Sequence, residues 1–411
     1  MKRKYFTFEL KAFLLNPKNI GLIILTIVLA LYFGLISAPN HHVIESVDYY
    51  KIRSEYRNYS VFLKHSEKEI EQARQPGMHY TPSDGAVAAV KTYPQVLKDD
   101  RMCLKSIKTQ NWRQYVKYSM RWHQFIDYQI FYNADKNFLY PREYSSGLNY
   151  ILDGHHGYSR TVYFYRGLLK SKANLNQNVI EERTALQRLQ QSLQGWTVLV
   201  LLITVCFFAA DVVTNDQKYR TVLKNIPLGK GTILWLKTAV VEVVVFFDFV
   251  LAFLVTILCL SPRYGLGSLN LQTTYYTGQT KVPFVTLTLG QYFCEFLMFA
   301  LIIVLIAIRL TILLSLIFRN DYVAGSLSSL LVVSAKVLYF SSGMGYVYPF
   351  LKKLPMTYFT IGDSLTGNLA YLMSSPNWGF EAGILSLLIC LAIIEICLLL
   401  SSKSRHIPVV R

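Results

Sequence analysis

Six stretches of this chain are so poor in charged residues that water is an unsuitable solvent for them: residues 20–38, 195–213, 233–260, 287–318, 323–342 and 382–401. A helix needs about 20 mostly apolar residues to cross the hydrocarbon core of a bilayer. In lipid every backbone N–H and C=O must be bonded within the spanning structure, which makes helices the expected form for such runs. The fourth stretch is overlong, with its most apolar part starting at Phe293. With 52% hydrophobic and 16% charged residues overall, a purely soluble fold is excluded. The expected fold is an all-α polytopic membrane protein with six transmembrane helices.

Basic residues in short flanking segments orient such a chain. Lys2, Arg3, Lys4, Lys11 and Lys18 precede the first stretch, and Lys218, Arg220, Lys224 and Lys230 lie between the second and third. Arg319 follows the fourth, and Lys403, Arg405 and Arg411 follow the last. With six crossings all four segments fall on one side, so both termini are expected in the cytoplasm. Only Lys352 and Lys353, in a longer outer segment, run against the pattern. The start MKRK could also open a cleaved signal peptide, but a long amphipathic, aromatic-rich stretch separates it from the apolar core. An uncleaved 1–19 segment, helical and cytoplasmic, is the expectation.

Between the first two apolar stretches lies a polar insert, 39–194, of domain size. Residues 44–75 and 86–132 predict helices, the second notched at Pro94. Residues 174–194 predict a third, with Val179, Leu186 and Leu193 seven apart. Glycine-rich pieces at 77–85 and 145–157 read as turns. Of six cysteines, Cys206, Cys259, Cys294, Cys390 and Cys397 lie in or beside apolar stretches, leaving Cys103 without a partner in the insert. A disulfide framework needs pairs, so the insert must fold on its helices. Residues 261–286 read as an outer loop and 343–381 as short helices at the outer interface, where Tyr and Trp are favoured. Residues 402–411 form a cytoplasmic tail.

The stretch 214–232 raises the functional question. Thr214 and Gln217 fit a capping box, and Asp216 adds negative charge at the helix's positive end. Tyr219, Val222, Leu223 and Ile226 then form one apolar stripe, with Lys218, Arg220 and Lys224 on the other sides. Pro227 ends the helix and Gly229 permits a turn. By itself such a helix could simply lie in the lipid headgroups.

Asp216, Thr221, Leu223, Pro227, Lys230 and Lys237 resemble the pattern that follows the second span in ABC-2 type permeases, the membrane subunits of one class of ABC exporter. FELKAFLLNPKNIGLI is similar to that family's entry, an elbow helix ending in Asn-Pro, and LSLIFRNDYVAGSL resembles its turn between spans four and five. Arg220 departs from the pattern's glycine, and the insert is larger than in the simplest members. The resemblance implies that 215–226 is a coupling helix gripped by a separate ATPase. Its contact residues would be Asp216, Lys218, Tyr219, Arg220, Val222, Leu223, Lys224, Ile226 and Pro227. It further implies a second permease copy or a paralogue, an ATPase dimer carrying ATP and Mg, and outward movement of an amphiphilic cargo such as a hydrophobic peptide, bacteriocin, drug or lipid.

No motor lies in the chain itself. A P-loop needs G-x-x-x-x-G-K-[ST], and at LGKGT (228–232) the upstream glycine is missing and Gly231 displaces the hydroxyl residue. No hydrolase or metalloprotease motif is present either, so no catalytic residue and no bound cofactor is expected. His41–His42 and His155–His156 with Asp153 invite a metal reading, but adjacent histidines rarely point the same way and no site is expected. Ionisable groups within the apolar stretches (Glu242, Asp248, Glu295, Arg309, Lys336 and Glu395) either line a path or neutralise one another to hold the bundle. Arg309 could also mark the end of a shorter span, leaving 310–318 at the interface. The net charge of +17 suits anionic lipids or acidic partners better than nucleic acid for an outward-facing insert.

The sequence therefore points to a permease in a bacterial plasma membrane, driven by another chain. Its competitor is a membrane sensor or immunity protein that binds an outside ligand and never transports. A secondary transporter would predict inverted repeats, and none is visible.

Overall fold

The structure, a computed structural model, describes residues 2–75, 81–145, 149–215, 227–280, 282–337, 349–376 and 378–403. Its elements run α1 (Lys2–Leu14), α2 (Pro17–Tyr32), α3 (Tyr49–Ala73), α4 (Asp84–Lys108), α5 (Trp112–Phe131), α6 (Tyr150–Lys170), α7 (Gln177–Ile180), α8 (Ala185–Ser192), α9 (Trp196–Ala210) and α10 (Lys230–Tyr264). The strands β1 (Gln272–Tyr276) and β2 (Phe284–Thr288) follow. After them come α11 (Leu289–Phe318), α12 (Asp321–Ala335), α13 (Ile361–Leu365), α14 (Asn368–Leu372) and α15 (Phe380–Lys403). The chain divides into two compact units: one of 1–41, 188–266 and 291–411, the other of 42–187 and 267–290.

The first unit holds the apolar helices. Among the described residues four are long and apolar enough to cross a membrane: Pro17–Ser37, Lys230–Tyr264, Leu289–Phe318 and Phe380–Ser401. The chain is thus a helical, multi-pass membrane protein. Two of the six expected crossings are shorter as helices. α9 ends at Ala210 after 15 residues and α12 at Ala335 after 15, and a stretch of that length rises only about 22 Å. Residues 338–342, the expected end of the fifth crossing, lie outside the described residues. α10 is longer than expected, 35 residues, and carries Pro262 in its last turn before Gly265 ends it at φ 80°. Pro262 cannot donate to the Leu258 carbonyl, and the helix ends two residues later.

Local signals set several of these boundaries. Asn16 caps α2 by accepting from the Lys18 N–H, with Pro17 at the first helical position, where its missing N–H costs nothing. Asn320 caps α12 by accepting from the N–H groups of Tyr322 and Val323. α11 runs unbroken through Arg309 to Phe318. The segment expected at the outer interface does form short helices, but Tyr358, Leu369, Met373 and Trp378 are buried in protein.

In the second unit α3, α4, α5 and α6 pack in sequence. Each begins at a side-chain cap: Asp48, Ser83, Asn111 and Asn149. Those short oxygen-bearing side chains satisfy orphan N–H groups of the first turn. The core gathers Ala89, Tyr93, Val96, Ile126, Ile130, Phe138, Tyr140 and Tyr158. Of the glycines of 145–157, read from sequence as turn formers, Gly154 and Gly157 instead lie inside α6, and Gly147 lies outside the described residues. A Cβ on Gly154 would fall 2.2 Å from the Tyr140 ring, and one on Gly157 the same distance from the Tyr144 ring. Here glycine serves close approach of aromatic rings rather than chain reversal.

Two further expectations fail in this unit. Residues 174–194 are not one helix: Glu182 sits at φ 53° between α7 and α8. The Gln187 amide donates to the Val179 carbonyl, and the Thr184 hydroxyl donates to the Gln187 side chain. These bonds close a polar turn that outcompetes the heptad spacing. The outer loop 261–286 is in part a β-hairpin, with Thr274 paired to Thr286 and Tyr276 to Phe284. Its QTTYY and FVTLT strands are rich in β-branched and aromatic residues, which favour pleated, half-buried surfaces. The hairpin rests on α6 through His156, whose ring lies 4.8 Å from Tyr276 and 5.0 Å from Phe284.

Replacing Gly157 with valine should displace Tyr144 and cost about 1–3 kcal/mol of stability, by the usual penalty for overpacking. Thermal unfolding of the full chain should show a lower midpoint for this unit; an unchanged midpoint would show that Tyr144 yields freely.

Candidate functional site

Residues 216–226 lie outside the described residues, and with them Asp216, Lys218, Tyr219, Arg220, Val222, Leu223, Lys224 and Ile226. Pro227, the last of the expected contact residues, is described and precedes α10. The chain on either side of the gap is fixed in detail. On the upstream side, Asp211 ends α9 and is the hub of a polar cluster. Its carboxylate accepts from the Asn16 amide at 2.7 Å, the Lys18 ammonium at 2.5 Å and the Asn215 amide at 2.9 Å. Lys18 also donates to the Phe207 carbonyl at 2.6 Å, at the unbonded end of α9. The Thr214 hydroxyl donates back to the Asp211 carbonyl at 3.2 Å.

On the downstream side, α1 lies against the start of α10. Tyr5, Glu9 and Phe13 share one face, spaced four apart. Tyr5 packs with Ile233, Leu228 and Leu236. Lys237 is 3% exposed, and its ammonium donates to both Glu9 oxygens at 2.9 and 3.0 Å and to the Val212 carbonyl at 3.1 Å. Both ends of the undescribed stretch therefore meet α1 and its junction with α2. Lys2, Arg3, Lys4 and Lys11 occupy exposed positions of the same helix.

One residue beyond Lys237 a second network begins. Arg309 of α11 is 2% exposed and forms a bidentate pair with Glu395 of α15. It also donates to the Thr238 hydroxyl at 3.2 Å and stacks over Trp235, 4.4 Å from the ring centre. The fork of a guanidinium is suited to holding a carboxylate, a hydroxyl and a ring face together. Polar contacts thus connect α1, α10, α11 and α15 through two adjacent residues, Lys237 and Thr238.

The remaining intramembrane groups are dispersed. Asp248 accepts from the Thr26 hydroxyl at 2.7 Å. Lys336 lies 3.6 Å from Asp363, and Glu295 accepts from Gln291 one helical turn earlier at 3.0 Å. Glu242 has no hydrogen-bond or ion-pair partner among the described residues and faces an apolar cavity. These six residues do not converge on one point. Sequence reasoning missed Glu9, Lys18, Asp211 and Asp363, the partners that complete the networks. The signal for Glu9 was a lone acid in a basic helix, and for Asp211 an acid closing an apolar run.

In the second unit the two adjacent histidines go separate ways. His155 Nδ1 lies 2.9 Å from Asp127, while His156 is enclosed by the hairpin's rings. Burial first, then the Arg160 charge, pushes the His156 imidazole down to about 3. No group of three or more metal-ligating side chains occurs among the described residues. The polar core is elsewhere. Buried His123 places Nε2 2.8 Å from Glu45, and Tyr144 donates to the same carboxylate. Burial alone would lower the His123 imidazole, but the Glu45 charge and the Ser119 carbonyl hold it above its ordinary value. Asp99 and Asp100 lie buried on α4. Burial, with the Glu55 and Asp99 charges, pushes the Asp100 carboxyl up to about 8.

No family model matches the chain, no curated protein matches it and no solved structure matches it.

Two outcomes follow from these networks. Arg309→Met should cost about 3 kcal/mol, the low end for a buried pair, by leaving Glu395, 22% exposed, unpaired, and adding Glu395→Met should recover most of it. Thermal unfolding of the purified chain reads both; equal losses in single and double variants would exclude a true pair. The second outcome concerns pH. A carboxyl raised on folding binds more protons folded than unfolded, so Asp100 contributes stability at low pH that is lost as pH rises from 3.8 to about 8. His123, also raised, adds stability below 6.5 that is lost as pH rises through its folded value. The second unit should therefore melt lower above pH 8 than near pH 6, and Asp100→Asn should shrink the gap by several degrees, on the order of 5 °C. A gap that survives Asp100→Asn intact would assign it elsewhere.

Proposed function

We propose that the chain is the permease subunit of an ATP-driven exporter of the ABC-2 type, working as a dimer in a bacterial plasma membrane. Each subunit would cross six times, counting α9 and the stretch 323–342 among the crossings. The termini and 214–232 would face the cytoplasm, and the second unit would stand outside. A separate ATPase pair would hold ATP and Mg and grip 215–226 through Tyr219, Val222, Leu223 and Ile226, with Lys218, Arg220 and Lys224 around them. The cargo would be amphiphilic.

The observation that carries this reading is the double anchoring of the 216–226 stretch. Asp211 fixes its start to Asn16 and Lys18, and Lys237 fixes the helix after it to Glu9 and the Val212 carbonyl. A force applied between those anchors is delivered to α2, α9 and α10 at once, because each anchor is a charge-assisted contact partly shielded from water rather than a loose loop. Through Thr238 the same load reaches Arg309 and Glu395. A sensor or immunity protein has no need for such a connection beside its cytoplasmic loop.

Leu223→Asp should leave membrane insertion intact and reduce recovery of the proposed ATPase partner by at least about tenfold, since a carboxylate cannot replace an apolar anchor in a desolvated contact. The assay is co-purification from membranes expressing both proteins. Undiminished recovery would remove the coupling assignment.

A further inference from the structure

The cavity that Glu242 faces encloses about 270 Å³ between α9, α10 and α11. An engineered apolar cavity of about 150 Å³ suffices to bind benzene, so this one takes a larger body, an aromatic group or a folded alkyl chain. Phe249, Phe253, Phe293, Phe296 and Val304 are among the side chains lining it. Phe246, Val250, Leu297 and Leu301 also line it and remain exposed, so it opens sideways on the surface that apolar helices offer to lipid.

Among the described residues Glu242 is the only polar one in the lining. It stands one turn beyond Thr238, about 18 Å along α10 from Lys230 at 1.5 Å per residue. Asp248 of α10 and Glu395 of α15 have partners: Asp248 has Thr26, and Glu395 has Arg309. Glu242 has none among the described residues. A carboxylate in such surroundings needs a counter-charge, and the nearest apolar walls supply none.

We infer that this cavity binds a hydrophobic cation, its apolar body among the phenylalanines and its ammonium or guanidinium on Glu242. Entry is lateral, from the bilayer. A neutral amphiphile of the same shape gains the apolar contacts but not the ion pair. The inference rests on the exporter reading for its purpose, since it specifies the charge of the cargo, but the binding itself needs no ATPase.

The test uses the full-length chain in phosphatidylcholine nanodiscs with two photoreactive probes, an alkyl-diazirine primary amine and its N-acetyl derivative. Labelled peptides are quantified by mass spectrometry. In the wild type the amine should label the 242–253 and 293–304 segments at least about tenfold more than the neutral probe, the size of one good ion pair in a site shielded from water. Glu242→Gln should bring the two probes level, and Ala300→Phe, which fills the cavity, should remove labelling of these segments by both. Equal labelling in the wild type, a preference that survives Glu242→Gln, or labelling spread evenly over lipid-facing helices would overturn the site. A second copy of the chain or a lipid seated in the cavity would show as protection of both segments from both probes, and would equally overturn it. If the amine binds but no ATPase associates, the site stands and the exporter reading falls. If an ATPase associates and no amine preference appears, the reverse holds.

Discussion

A charge placed among apolar helices must find a partner, and that requirement organises the first unit. Arg309 is almost completely buried in a helix whose other charged residue, Glu295, lies about four turns earlier, and it is held by Glu395, Thr238 and the face of Trp235. Lys237, next to Thr238, is as deeply buried and is held by Glu9 and a carbonyl at the end of α9. Neither group could be accommodated by a helix acting alone. The N-terminal helix is thereby bound to the base of α10, and α10 to α11 and α15. Buried pairs of this kind are a weak source of net stability but a strong source of specificity, since a misplaced register leaves a charge unpaired. They also make a stiff connection out of helices whose mutual contacts are otherwise greasy and non-directional.

The membrane character was legible because hydropathy over long windows is a signal that tertiary structure does not override. The start of α2 was legible too, since Asn16 and Pro17 act locally. What could not be read was anything decided by packing. The glycines of α6 resemble turn signals until Tyr140 and Tyr144 are placed against them. The leucine spacing after residue 174 resembles a helical seam, yet a short polar turn at Glu181–Thr184 breaks it. The hairpin 272–288 was hidden because each strand has only five residues and its burial depends on α6, distant in sequence. For the candidate site, the charged residues were all visible, but their pairing was not: Glu9 and Lys237 are 228 positions apart.

The two units solve the problem of buried polarity differently. In the first, nearly every buried charge is paired, and Glu242 stands apart in facing a cavity. In the second, carboxyls are packed together on α4, and Asp100 is tolerated because burial holds it protonated near neutral pH. Glu45 and His123 form a separate paired core. An insert with no paired cysteines among its described residues relies on such aromatic and polar packing, Tyr144 touching both Gly157 and Glu45.

Everything functional in this picture depends on which face of the membrane receives the stretch between Asp211 and Lys230. Substituted-cysteine labelling decides it: in a chain stripped of its six native cysteines, Gly229→Cys is treated with a membrane-impermeant maleimide in intact and in permeabilised cells. The expected result is labelling only after permeabilisation, and less of it when the proposed ATPase partner is co-expressed. Labelling in intact cells would place the stretch outside and contradict the coupling of this chain to any intracellular motor.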